Sequence, residues 1–225
     1  MKTPPAPHGR LLSVNIAATP HYTEAKGQPT GIGKLPVTHP VHVQAPGPKG
    51  VGGSGVSGDA VCDRKHHGGD DQAVYAYARE DLDWWQDELG RELPPGMFGE
   101  NLTTVGLDLT GALVGERWRV GQRALLEAAC PRIPCNVFAE KMGEAHWIKR
   151  FTERGATGAY LRVIEPGPIQ AGDPVTIEHR PDHQVTLGLY FRALTSAPER
   201  LSDLIAAGDA LPKETRETIA RRTRS

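Results

Sequence analysis

Cys135 stands in the segment Ala129-Cys130-Pro131-Arg132-Ile133-Pro134-Cys135-Asn136, where two prolines and an arginine surround a thiol. Proline fixes φ and removes a backbone donor, so the segment reads as a stiff loop leaving a strand, with its sulfur held in place. A held thiol suits a metal ligand or a nucleophile; the alternative for a lone cysteine is a small buried hydrophobe. Three further segments carry polar groups in restrained surroundings. Lys34 lies between Gly31-Ile32-Gly33 and Leu35-Pro36, which either aims an ammonium at a phosphate or leaves it solvated. His66-His67-Gly68-Gly69-Asp70-Asp71 ends where a helix is expected to begin, and the free N–H groups of a helix N-terminus favour a phosphate or carboxylate. Adjacent histidines diverge and no second pair accompanies them, so zinc is not indicated and a structural turn is the alternative. Asn101, in Phe98-Gly99-Glu100-Asn101-Leu102, can offer a donor and an acceptor together to a heteroaromatic ring, or it can serve the turn.

The elements that must position these groups are mostly strands. Among 225 residues, 26 glycines and 19 prolines call for many turns and few long helices. A net charge of −1 gives no general attraction for nucleic acid or an anionic membrane. Three cysteines, Cys62, Cys130 and Cys135, and a proline-rich start without a hydrophobic signal segment point to a reducing cytoplasm. No apolar run approaches the roughly 20 residues that span a bilayer.

Residues 11–17 and 41–43 read as strands, and residues 46–58, with six glycines and two prolines, as a flexible loop able to cover a site. A helix is predicted over residues 72–89, capped by Asp70 or Asp71 and stopped by Gly90, because Val74, Ala78, Leu82, Trp85 and Leu89 recur at helical spacing. Short strands follow at 117–120 and 124–129. Residues 160–164 and 174–179 read as a hairpin through Glu165-Pro166-Gly167. A small barrel is the economical arrangement for such strands. Beyond His183 three short helices are predicted: residues 185–194, a second opened by a Ser196-Ala197-Pro198-Glu199 capping box with Leu201, Leu204 and Ile205 on one face and Gly208 as its stop, and a third after Pro212. The division is therefore a barrel domain over 1–182 and a three-helix module over 183–225, too small to be stable alone and so docked on the barrel.

In this order, His67-Gly68-Gly69 before Ala73-Val74-Tyr75-Ala76-Tyr77, then Phe98-Gly99-Glu100-Asn101-Leu102, then Pro131-Arg132-Ile133-Pro134-Cys135 resembles the MOSC domain family, named for the C-terminal domain of molybdenum cofactor sulfurases. The terminal helices resemble the three-helix extension of its YiiM-like branch. The resemblance runs from about Gly31 to the C-terminus and implies a mainly β fold, a small MOSC-type β-barrel holding a pterin-based molybdenum cofactor. It implies Cys135 as the molybdenum ligand, Asn101 near the pterin or the metal's oxygen ligands in a catalytic role, and Lys34 at the cofactor phosphate. His67 and Arg132 are further cofactor-binding candidates. The implied activity is reduction of N-hydroxylated compounds, hydroxylaminopurines or amidoximes, by oxygen-atom transfer to molybdenum. With no flavin or haem signature and no iron–sulfur cysteine set, the electrons must come from an external flavin or iron–sulfur protein. Two alternatives stay open: a sulfur carrier passing on a Cys135 persulfide, and a non-catalytic cofactor-binding module. The chain departs from the family in its glycine-rich 46–57 segment and in Cys62, where a small residue is usual.

Overall fold

The computed structural model describes residues 8–22 and 29–222. Seven of its strands close a barrel: β1 (Gly9–Ile16), β2 (Val74–Ala78), β3 (Leu102–Val105), β4 (Arg117–Val120), β5 (Ala124–Cys130), β6 (Ala159–Glu165) and β7 (Pro174–His179). Around the barrel they run β1-β3-β2-β6-β5-β4-β7, and β7 returns to β1 through Gly9↔Val175 and Arg10↔Pro174. The sheet is mixed, because β2 and β3 are parallel while the other neighbours are antiparallel. Closure satisfies strand edges that an open sheet would leave unpaired.

The strand period of two sorts residues between two apolar layers. On β6, Ala159, Leu161 and Val163 are buried while Tyr160 and Arg162 are half-buried. All five residues of β2 are buried, since both of its faces are covered. Val74, Ala76 and Ala78 enter the barrel core, whereas Tyr75 and Tyr77 join a second, aromatic cluster outside it. That second cluster is supplied by three helices, α1 (Arg79–Leu89), α2 (Asn136–Met142) and α3 (Trp147–Arg154), through Trp85, Phe138, Trp147 and Phe151. Trp85 and Trp147 rings lie 4.5 Å apart and Phe98 packs edge-on against Phe138 at 5.1 Å, the offset geometry that aromatic quadrupoles favour.

Three local expectations change. The helix predicted over 72–89 starts only at Arg79: residues 74–78 are strand β2, and Asp70 and Asp71 lie in a single 3₁₀ turn, Asp70–Gln72, with no side-chain cap. Gly90 does end α1, in the left-handed region at φ 63°. The hairpin between 160–164 and 174–179 does not form, because β5 and β4 stand between β6 and β7. The intervening Gly167–Ile169 pairs instead with Val41–Val43. Residues 46–58 are strapped down rather than left loose: Gly47 N–H donates to Asp70 Oδ1 at 2.9 Å, Gly55 N–H to Ala73 O at 2.7 Å, and Gly69 N–H to Gly53 O at 3.1 Å. A Cβ on Gly69, whose φ is 77°, would lie 2.6 Å from Lys49 Cα, so only glycine permits this approach.

After β7 come α4 (Leu187–Leu194), a 3₁₀ segment over Pro198–Ala210 and α5 (Lys213–Arg222). Thr186 caps α4, its Oγ1 accepting from Leu189 N–H at 3.0 Å. The capping box predicted at Ser196 is absent: the N-cap is Ala197, without a side-chain bond, and Ile205 is 55 % exposed while Leu201, Leu204 and Ala207 are buried. Gly208 (φ 51°, ψ −128°) leaves helical geometry and breaks this segment in two, so the helix is interrupted at the predicted stop although a short piece continues to Ala210. Leu187, Tyr190, Leu204 and Ile219 belong to the same apolar cluster as Leu126 and Trp118 of the barrel.

Candidate functional site

Outside the barrel wall, on the β2–β6 side, a cleft with about 850 Å³ of empty space, its open mouth included, collects residues from seven parts of the chain. Residues 29–34, 54–63, 67–72, 99–101 and 132–137 contribute, together with Tyr75 of β2 and Tyr160 of β6. Lys34, His67, Asn101, Arg132 and Cys135, the five residues singled out from the sequence, all line it, as does Cys62.

Cys135 reaches this cleft because β5 ends at Cys130 and a short loop turns the chain into α2. Pro131, Arg132 and Pro134 are buried, only Ile133 is exposed, and the Cys135 carbonyl accepts from Ala139 N–H at 3.0 Å. The thiol is partly exposed and in no disulfide. Neighbouring Arg132 is 6 % exposed. Its guanidinium lies 4.0 Å from the Phe138 ring centre and 4.9 Å from that of Tyr75, and Nη1 donates to Phe98 O. Among the described residues no carboxylate lies within ion-pair distance of it, so a buried positive charge borders the cleft without a counterion.

Lys34 is placed differently from an ammonium aimed only at a ligand. Its Nζ donates to both oxygens of Asp59 at 2.5 Å. Burial pushes the Lys34 pKa down, opposed by the charge and hydrogen bond of Asp59. Asp59 also accepts from Ala17 N–H at 2.8 Å, Ser54 Oγ at 2.7 Å and Asn101 Nδ2 at 2.9 Å. Asn101 has its second amide hydrogen on Asn15 O at 3.2 Å, and its Oδ1 accepts from Tyr75 N–H at 3.2 Å. Its donor–acceptor edge is therefore committed to the protein rather than free for a heteroaromatic ring. Next to it, Glu100 is fully buried and accepts from Gly96 N–H at 2.6 Å, Thr103 Oγ1 at 2.9 Å and Phe98 N–H at 3.0 Å, which folds the 96–100 turn around one carboxylate. Burial pushes the Glu100 carboxyl up against those hydrogen bonds.

His67 and Gly68 line the cleft, but a 3₁₀ turn and a strand follow them, so the helix N-terminus expected there as an anion site does not exist. Burial raises the Cys62 thiol, Lys34 pulls it down and Asp59 pushes it up. Cys130 is pushed up to about 12 by burial and does not line the cleft. Sequence reasoning missed Asp59, whose only signal was its place after Gly58, and Tyr160, which strand alternation alone sends outward. It also missed α2.

A model of the MOSC domain matches residues 63–176. The YflK protein of Bacillus subtilis is 33 % identical over 164 residues, 72 % of this chain and 70 % of that protein. A protein named reductase from Gibberella moniliformis is 30 % identical over 141 residues, 61 % of this chain but 25 % of its own, so the match spans a quarter of the fungal protein. The crystal structure of YiiM from Geobacillus stearothermophilus superposes with a TM-score of 0.75 at 27 % identity, covering 95 % of this chain and 98 % of that one. No helix among the described residues is long and apolar enough to cross a membrane.

Proposed function

Because the chain belongs to the MOSC domain family, a molybdenum-cofactor-associated one, we propose that the cleft binds a molybdenum cofactor through Cys135 and that the protein reduces N-hydroxylated compounds. The observation that carries this reading is the pairing, at one cleft, of a partly exposed thiol and a buried guanidinium without a carboxylate partner. A soft thiolate suits a molybdenum ion, and an uncompensated buried cation suits the anionic part of a pterin cofactor. No group of three or more His, Cys, Asp or Glu side chains able to hold a metal occurs among the described residues. A metal in this cleft must therefore arrive with most of its ligands, as one already chelated by a pterin does.

When bound, such a cofactor supplies two-electron oxygen-atom exchange, which the side chains of this protein cannot perform. The protein's part is to bind and orient. Cys135 offers one sulfur ligand from a loop stiffened by Pro131 and Pro134. Arg132 supplies fixed positive charge. Asp59 takes two donors of Lys34, and the third N–H of the ammonium remains for a phosphate. Asn101 acts through Asp59 and the Tyr75 backbone as a positioning residue, and His67 lines the same cleft as a further cofactor-binding candidate. The electrons come from a separate flavin or iron–sulfur protein.

The test is molybdenum content per chain and turnover of an N-hydroxylated purine or an amidoxime, measured on full-length protein from cells that make the cofactor. Wild type and Cys62→Ala are expected to carry molybdenum and turn over, and Cys135→Ala to lose both while staying folded. Equal molybdenum in wild type and Cys135→Ala overturns the ligand assignment. Bound molybdenum without turnover leaves a cofactor-binding module, and persulfide on Cys135 without molybdenum leaves a sulfur carrier.

A further inference from the structure

Four tyrosines have described side chains, and three of them have occupied hydroxyls. Tyr75 donates to Thr157 O at 2.8 Å, Tyr77 to Ala156 O at 2.9 Å, and Tyr190 bonds Thr215 Oγ1. The Tyr160 hydroxyl makes no hydrogen bond among the described residues, and Tyr160 lines the cleft. Its backbone is held on both sides, opposite Tyr75 on β2 and Cys130 on β5, and its ring packs on Tyr75 with centroids 4.8 Å apart. A fixed phenol without a protein partner at a cleft directs its O–H at whatever acceptor, water or ligand, the cleft holds.

Arg132 is a second donor group at this wall. It has five N–H donors in a rigid fork and spends one on Phe98 O, with the Tyr75 side chain also within its reach, so donors are left over. The Tyr160 ring and the Arg132 guanidinium lie 4.8 and 4.9 Å from the same Tyr75 ring centre, and both residues line the cleft together with Cys135.

We propose that Tyr160 and Arg132 form a two-donor subsite for an oxyanion, or for the oxygen-rich face of a bound anionic ligand, beside Cys135. One neutral O–H and one permanent cation, with no carboxylate paired to either among the described residues, select a group that only accepts hydrogen bonds and carries negative charge. The phenol supplies direction, and the guanidinium, seated on the Phe138 and Tyr75 rings, supplies charge. This deepens the cofactor reading given above, but its test does not need the cofactor.

The probe is molybdate alone, titrated calorimetrically at fixed ionic strength into full-length protein produced without cofactor synthesis. Wild type is expected to bind it. Tyr160→Phe, which keeps the ring stack, should weaken binding by about tenfold or more, the effect of one hydrogen bond to a charged group. Arg132→Gln should weaken it further, and Tyr77→Phe, whose hydroxyl serves Ala156 O, should leave it unchanged. Equal affinities for wild type and Tyr160→Phe overturn the subsite, as does failure of wild type to bind. Should Tyr160→Phe melt below wild type, a tyrosine difference spectrum of wild type on adding molybdate serves instead: no perturbation overturns the proposal. Tyr160-dependent binding in a chain that never acquires molybdenum from cofactor-making cells defeats the cofactor reading and leaves this one standing.

Discussion

Lys34 Nζ sits 2.5 Å from both carboxylate oxygens of Asp59, where the two side chains are 7 % and 1 % exposed. An ion pair this enclosed gains little net stability, yet breaking it leaves a buried charge alone. Asp59→Ala also strips a partner from Ala17 N–H, Ser54 and Asn101. The expected loss is about 3–5 kcal/mol in urea denaturation. In a Lys34→Met background the same substitution should cost clearly less, because no cation is then stranded; equal costs in both backgrounds contradict the pairing.

How far this arrangement was legible in the sequence depends on what each residue's neighbours could reveal. Cys135 and Arg132 were visible because prolines flank them. The five cleft residues proposed from the sequence do meet. Asp59 was not visible, since one aspartate after a glycine reads as turn chemistry, and only the fold brings it to Lys34, 25 residues away. The misread helix has a geometric cause. Val74 and Ala78 are four apart, and a spacing of four lies on one face of a helix and also on one face of a strand. Burial of β2 on both sides removed the alternation that separates the two. Likewise Tyr160–Ile164 and Pro174–His179 were each legible as strands, but their partners are set by barrel closure, which no short window contains.

Glu100 should leave a signature in the pH dependence of stability. Burial raises its folded pKa above the unfolded value of 4.5. The folded state therefore binds the proton more tightly, and stability from this group falls as pH rises from about 4.5 through the folded pKa. Glu100→Gln has no such proton. The stability of wild type minus that of Glu100→Gln should decrease across this window, measured by denaturation at successive pH values. A difference that grows with pH means that the bonds from Gly96, Phe98 and Thr103 outweigh burial.

Close packing of two cleft walls predicts a contrast between two glycines. A Cβ on Gly31 would lie 2.0 Å from Ala60 O, and backbone cannot yield cheaply. Gly31→Ala should push residues 29–34 away from 59–62, strain the Lys34–Asp59 pair and cost about 1–3 kcal/mol. At Gly53 the nearest atom to an added Cβ is Arg64 Nε at 3.8 Å, so Gly53→Ala should be close to neutral. Thermal melts of the two variants and of wild type check this, and similar melting temperatures for both variants would refute it.

The helices after β7 give the last prediction, because their apolar faces are continuous with the barrel core rather than closed on themselves. Leu204 is fully buried in the 3₁₀ segment and falls in one cluster with Leu187, Tyr190, Leu126 and Trp118. Polar ties accompany it: Arg162 of β6 donates to Ala210 O at 2.9 Å, and Lys49 pairs with Glu214 at 2.7 Å. The exposed Lys49 pair contributes little, so apolar burial decides the coupling. Leu204→Ala should cost about 2–5 kcal/mol, the range for a buried leucine whose site collapses only in part. If the helices and barrel unfold as one unit, hydrogen exchange must accelerate equally at the amides of α4 and at those of β5. Acceleration confined to α4, with β5 protected as in wild type, means that the helices form a separately unfolding module and that the shared core does not couple them.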